Sequence, residues 1–231
     1  MNHRSLKKRR CALALLSDQH LGALRGNSAP QNEESPFRPR SPYAIAKLYN
    51  HWMTVNYRET HGMFACNRVL FNRESPRRGE NFVTGKTTRG VAVGLETGTR
   101  LRLGSVDVRR GWGRACAYVG AMWPMLQQPA PSDDVTGTGI SRLVRHMVQV
   151  AFGLVGLDSR DNVDLDPAYI RPTEVPDLLA DPSTANRELG WYPRISFEAM
   201  IREMLQSDIR AAGLDPDQRM VAVPVTQVAP L

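Results

Sequence analysis

Apolar side chains recur at helical spacing along residues 43–60. Ile45, Leu48, Tyr49, Trp52 and Val55 repeat three or four positions apart. With Pro42 in front and Gly62 behind, the pattern predicts a helix beginning near Tyr43 and stopping around Gly62. "MFACNRVLF", residues 63–71, is then a short and mostly apolar run. A run of that length after a helix suits a buried strand of a parallel sheet, with Asn67 and Arg68 as its polar interruptions. Residues 82–93 read as a helix and 100–103 as a short strand. Residues 115–128 read as another helix, which Pro124 should truncate or kink. Over 141–154, Leu143, Val144, Met147, Val148 and Phe152 share one helical face and form a core stripe. Residues 158–182 are rich in Pro and Asp and read as irregular. Ser196 is a good N-cap for a last helix running to about Ala212, with Glu198 in its first turn. The tail after Gly213 reads as frayed. Residues 17–42 hold Gly22, Gly26, Pro30, Pro36, Pro39 and Pro42 and read as loop. Strands alternating with helices place the chain in the α/β class.

Composition narrows the classes. The chain has 231 residues, 42% of them hydrophobic, enough for one sizeable core or one domain with an incomplete neighbour. Nothing approaches a transmembrane span. Cys11, Cys66 and Cys116 are odd in number and lack metal-ligand spacing, which fits a reduced, cytoplasmic compartment. The formal net charge of +7 suits nucleic acid or an anionic small ligand equally. Without zinc-finger spacing or an RNA-binding aromatic motif, nucleic acid is not expected. "MNHRSLKKRR" followed by "CALALL" has only six apolar residues before Ser17 and Asp18, too short for a secretory signal. Residues 1–16 are expected to be an unrelated basic leader.

Candidate chemistry lies in two places. "NRESPRRGENF" is a charged loop at the carboxyl end of the 63–71 strand, where open α/β sheets bind ligands. In "SPYAIAK", Tyr43 and Lys47 are four apart and share one face of the expected helix. A free tyrosine has a pKa of about 10, and bringing it to about 7 takes roughly 4 kcal/mol of differential stabilisation. A neighbouring ammonium contributes to that. The same spacing also arises in ordinary helices, so the motif alone leaves both readings open. No strand–Gly-x-x-Gly-x-x-Gly–helix unit opens the chain. Gly22-Ala-Leu-Arg-Gly26, Gly111-Trp-Gly113 and Gly137-Thr-Gly139 are near-misses without the flanking strand and helix. The absence of His-Glu-x-x-His, Gly-x-Ser-x-Gly and P-loop motifs argues against a metal hydrolase, an α/β-hydrolase and an NTPase.

"SPYAIAKLYNHWMTVNYRETHGMFACNRVLFNRESPRRGENFVT" resembles the GDP-mannose 4,6-dehydratases, a family of the extended short-chain dehydrogenase/reductase group. "GWGRACAYVGAMWPMLQQ", "YIRPTEVPDLLADPSTANRELGW" and "SFEAMIREMLQSDI" extend the likeness from about Pro30 to about Ile209. The resemblance implies an incomplete Rossmann-like doubly wound sheet, its first βα units missing, with a small C-terminal α/β substrate-binding part. Residues 17–85 would be the NADP-binding remnant, 86–212 the sugar-nucleotide part and 213–231 a tail. The family converts GDP-mannose to GDP-4-keto-6-deoxymannose with tightly held NADP. By resemblance Tyr43 would be the base, and Lys47 would lower its pKa and hold the nicotinamide ribose. Arg73, where the family has histidine, and Arg78 would contact NADP. Asn72, Lys86, Arg110, Arg171 and Glu174 would line the GDP-mannose site. A lone arginine among these reads equally as surface charge.

Other positions depart from the family pattern. Its Thr-Ser-Glu triplet is matched by Ser17-Asp18-Gln19, so Ser17 would be the catalytic hydroxyl, and Gln19 could not replace the glutamate as proton acceptor. Gly111, Arg114, Cys116 and Ala117 replace two acids, a histidine and an arginine. These departures imply impaired or absent dehydratase activity. The alternative expectation is a non-catalytic GDP-sugar-binding protein, a homo-oligomer or a partner that pairs with a full-length homologue. No metal site is expected.

Overall fold

The computed structural model describes residues 13–18, 30–170 and 177–221. It opens with β1 (Leu13–Asp18), α1 (Pro42–His61), β2 (Ala65–Leu70), β3 (Asn72–Glu74) and α2 (Val83–Thr97). The short elements β4 (Leu101–Leu103), β5 (Arg109–Arg110), β6 (Trp112–Arg114), α3 (Ala115–Gly120) and α4 (Met122–Gln127) follow. Then come β7 (Asp134–Thr136), β8 (Arg142–Leu143), α5 (Val144–Gly153), α6 (Ser159–Asn162) and β9 (Val163–Leu165). A 3-10 turn (Pro167–Tyr169), β10 (Asp177–Leu178), α7 (Ser183–Leu189), α8 (Phe197–Ala211) and α9 (Pro216–Arg219) complete it.

Local chemistry explains α1. Ser41 is extended at the N-cap and its Oγ accepts from Ala44 N at 3.1 Å, a contact worth about 1 kcal/mol in typical helices. Pro42 fills the first turn, where its missing N–H costs nothing. Gly62 ends the helix at φ 58°, a left-handed conformation that glycine adopts without strain. The predicted apolar stripe faces outward, however. Ile45, Tyr49 and Trp52 are 58%, 63% and 56% exposed, and the buried positions are Ala44, His51 and Thr54. Small and polar residues let the helix lie close on the sheet.

That sheet has the order β1-β2-β7, all parallel. All six residues of β2 are buried. Val69 and Phe71 join Val135, Leu178 and Ala180 in one cluster. Leu70 joins Tyr118, Ala121, Ala185 and Trp191 in another. A much larger apolar core unites α2, α5 and α8 with β4 and Trp112. There α8 contributes Phe197, Met200, Ile201, Leu205 and Ile209 at helical spacing, capped by Ser196 Oγ on Ala199 N at 3.1 Å. Burying each such side chain contributes about 1.5–3 kcal/mol.

Several expectations need correction. The strand β1 crosses the boundary drawn at residue 16, so the leader and the 17–42 loop are interrupted by a hydrogen-bonded strand that pairs Leu13 with Ala65 and Asp18 with Leu70. The expected 115–128 helix is two helices, broken at Ala121. The ring of Pro124 has no N–H and would clash with the carbonyl four residues back, at Gly120. The helix expected from 141 begins at Val144, because Arg142 and Leu143 pair antiparallel with β5. The irregular 158–182 stretch contains α6, β9, the 3-10 turn and β10. Gly213 does not begin a fray. Asp215 caps α9, and Val221 N donates to Leu154 O at 2.9 Å.

Candidate functional site

Tyr43 and Lys47 sit in the first two turns of α1. Lys47 Nζ is 5.3 Å from the centre of the Tyr43 ring, and Tyr43 is 43% exposed. The helix thus presents an aromatic ring and an ammonium side by side at an open surface. Ser17 lies on β1, in register with Val69 of β2. Arg171 and Glu174 fall outside the described residues.

Pairing of β3 with β6 aligns Asn72 with Trp112 and Arg73 with Gly113. It brings Asn72 and Arg73 beside the stretch that holds Arg110. Arg110 Nη1 donates to its neighbour's carbonyl, Arg109 O, at 2.6 Å. The next residue on β3, Glu74, is only 1% exposed. Its carboxylate accepts from the Thr84 hydroxyl and meets Arg78 Nε at 3.1 Å. The guanidinium of Arg78 also lies 3.6 Å over the Phe82 ring. Glu74, Phe82 and Thr84 therefore hold the 75–82 loop in shape, and Arg78 is committed to them. None of the three was a sequence candidate. The one available signal was the Glu74–Arg78 spacing, which has no meaning until the loop's course is known.

Lys86 opens toward a different neighbour. Its ammonium is 3.5 Å from the centre of the Tyr169 ring. Burial, and secondarily the nearby Arg102, hold its pKa below the usual lysine range. Arg102 Nη2 pairs with Asp166 at 2.7 Å. Lys86, Arg102, Asp166 and Tyr169 thus form one polar cluster at the ends of β4 and β9. Arg114, one of the departures from the family pattern, is used structurally. Its guanidinium spans both oxygens of Glu203 at 2.5 and 2.6 Å, tying β6 to α8. Among the described residues no group of His, Cys, Asp or Glu could hold a metal ion.

Residues 10–204 match the family model described as GDP-mannose 4,6 dehydratase. The chain belongs to the GDP-mannose 4,6-dehydratase family. Its match begins inside the leader drawn at 1–16. GDP-mannose 4,6 dehydratase 1 of Arabidopsis thaliana is 51% identical over 186 residues, covering 79% of this chain and 51% of that protein. The Drosophila melanogaster GDP-mannose 4,6 dehydratase is 46% identical over 205 residues, covering 81% and 52%. The chain spans about half the length of the curated relatives it matches.

Solved structures carry the same fold. RMD from Pseudomonas aeruginosa, complexed with NADPH, superposes with a TM-score of 0.78 at 20% identity, covering 87% of this chain and 67% of that one. DesIV, a dTDP-glucose 4,6-dehydratase from Streptomyces venezuelae with NAD and TYD bound, gives 0.75 at 20% identity, covering 87% and 60%. The chain is therefore a partial Rossmann-type α/β fold. No helix among its described residues is long and apolar enough to cross a membrane.

Proposed function

We propose that this chain binds a GDP-linked hexose, GDP-mannose or a close relative, as a cytoplasmic protein, and does not complete the dehydratase cycle alone. The carrying observation is the set of cations around the β3–β6 and β4–β9 ends. Lys86 and Arg102 stand together on the β4–β9 side and Arg73 and Arg110 on the β3–β6 side, and a pyrophosphate needs such donors. Arg171 and Glu174 belong to this reading by family resemblance.

The related structures hold nicotinamide cofactors, NADPH in RMD and NAD in DesIV. The described residues supply one wall of such a site, Tyr43 and Lys47. They do not supply its phosphate cradle. Arg78 is taken by Glu74 and Phe82, and no strand–helix connection among the described residues carries the Gly-x-x-Gly-x-x-Gly fingerprint. On these residues NADP does not fit, and no hydride step is derived. When bound, that group is what accepts and returns hydride, chemistry no side chain replaces.

Calorimetry on the monodisperse chain tests the reading. GDP-mannose should bind saturably and NADP should not. Micromolar NADP binding would reveal a cradle beyond the described residues and restore the dehydratase, with Tyr43 as base. Absence of GDP-mannose binding from a folded sample would remove the proposal. A second reading, pairing with another copy or a full-length homologue, rests on the outward stripe of Ile45, Tyr49 and Trp52. Sedimentation of Trp52→Ser against the parent chain tests it: an unchanged association state would exclude α1 as the interface.

A further inference from the structure

The Asp166–Ile170 segment is built to hold one ring in place. Asp166 N donates to Leu103 O at 2.7 Å, docking the segment on β4. Asp166 Oδ1 caps Ala168 N at 2.9 Å, and Pro167 occupies the first position of the turn. Tyr169 N closes it on Asp166 O at 3.1 Å. The backbone of Tyr169 comes so near Gly104 that a Cβ there would lie 2.5 Å from Tyr169 O. Gly104 is thus required for this seating. On this seated backbone the Tyr169 ring has the Lys86 ammonium 3.5 Å from its centre, yet Tyr169 remains 51% exposed. An aromatic with a cation on one face and solvent beyond is not packed as a core residue. It is the arrangement that stacks a nucleobase next to phosphate-binding cations.

We propose that Tyr169 is the base platform of the sugar-nucleotide site, stacking the purine of a nucleoside diphosphate sugar while Lys86 and Arg102 face its phosphates. The proposal rests on the GDP-sugar reading and deepens it by naming the residue that reads the base. Asp166 is then a positioning residue, since it holds both the turn and Arg102.

The test separates base from phosphate. GDP and inorganic pyrophosphate are titrated calorimetrically into the parent chain, Tyr169→Ala and Tyr169→Phe. Tyr169→Ala should weaken GDP about tenfold, the order expected for losing one stacked base. Pyrophosphate affinity should stay the same, and Tyr169→Phe should behave as the parent for both ligands. Unchanged GDP affinity in Tyr169→Ala would overturn the proposal. So would equal losses for GDP and pyrophosphate, which would mean that the ring only seats Lys86. If the parent chain binds neither ligand, the GDP-sugar reading itself fails and takes the platform with it. That outcome is distinct from a parent that binds both while the alanine variant is silent.

Discussion

The sheet β1-β2-β7 and the helical core of α2, α5 and α8 are built on different terms. The helical core clusters eighteen buried apolar residues, and the polar side chains α2 buries beside it, Thr84, Thr87 and Thr88, all have hydrogen-bond partners. The two clusters around the sheet have five buried residues each and share their space with buried polar groups. Arg68 is fully buried. Its Nη1 donates to Ala121 O at 2.9 Å, but Nε and Nη2 have no partner. Burial pushes its pKa down to about 10, although Asp134, opposite it on β7, pulls the other way. Asp134 Oδ1 and Tyr118 Oη are also buried and unpartnered. Each such group costs about 1–3 kcal/mol. The lesson is that stability in this chain is concentrated away from the α1 helix. The helices α2, α5 and α8 are packed for persistence, and the Tyr43–Lys47 side is held by weaker means.

The comparison is sharpened most by truncating the helical core. Ile201→Ala, at a fully buried position of α8, should cost about 2–5 kcal/mol in urea melts. A loss below about 1 kcal/mol would show that this core is not the stable half. In the sheet the opposite sign is expected. Replacing the two buried, opposite charges together, as Arg68→Met with Asp134→Asn, should leave stability unchanged or raise it by up to about 4 kcal/mol. A clear loss in the same melts would mean that the orphaned groups are satisfied in solution and stabilise the sheet.

Two adjacent aspartates give the next effect, with opposite pH dependence. Burial raises the pKa of Asp134, only partly offset by the Ser132 hydroxyl. The folded chain therefore holds that proton more tightly than the unfolded one. Its contribution is present below the unfolded value of about 3.9 and is lost as pH rises through the folded pKa. Burial also pushes Asp133 up, but hydrogen bonds from Arg58, at 2.7 and 3.0 Å, and from Asn67 N, at 2.8 Å, outweigh it. Its pKa ends lowered, so its contribution is present above about 3.9 and lost as pH falls through the folded pKa. Asp133→Asn should cost about 1.5–3 kcal/mol at neutral pH and converge with the parent in acid. Asp134→Asn should flatten the decline on raising the pH from about 4. Chemical denaturation across pH 3–8 reads both, and parallel curves for the two variants would refute the assignment.

The smallest effect is at the surface. Asp107 meets Arg145 Nη2 at 2.7 Å, but both side chains are at least half exposed. Asp107→Asn should shift stability by no more than about 0.5 kcal/mol, a loss that fades with salt. A larger, salt-independent shift would place that pair inside the packed half.

Much of the fold was legible because local rules and tertiary structure agree. Pro42 and Gly62 bounded α1, and Ser196 marked the start of α8, since helix-end signals act through backbone groups a few residues away. The β2 strand was readable as an apolar run of the right length. Pro124 announced a break, and the break came one turn earlier than the residue itself. The site was less legible. Tyr43 and Lys47 could be paired by spacing, because a helix carries i and i+4 on one side. Glu74 and Tyr169 could not be found, because their meaning depends on partners brought in by the course of a loop and by a β4–β9 pairing sixty residues apart in sequence.

The amino-acid sequence by itself determined α1 and α8 with their ends, the principal strand, the family and the Tyr-x-x-x-Lys pair. These follow from interactions within a few residues, or from motifs whose order survives in the chain. Only the tertiary structure decided which face of α1 is buried, that β1 joins the sheet across the leader boundary, that Arg78 is bound by Glu74, and that Tyr169 lies over Lys86. Periodicity says that a helix has an apolar side, but not whether a sheet or the solvent receives it. That choice is made by the shape and charge of elements distant in sequence, and here Ala44 and Thr54 fit the sheet more closely than Tyr49 and Trp52 could.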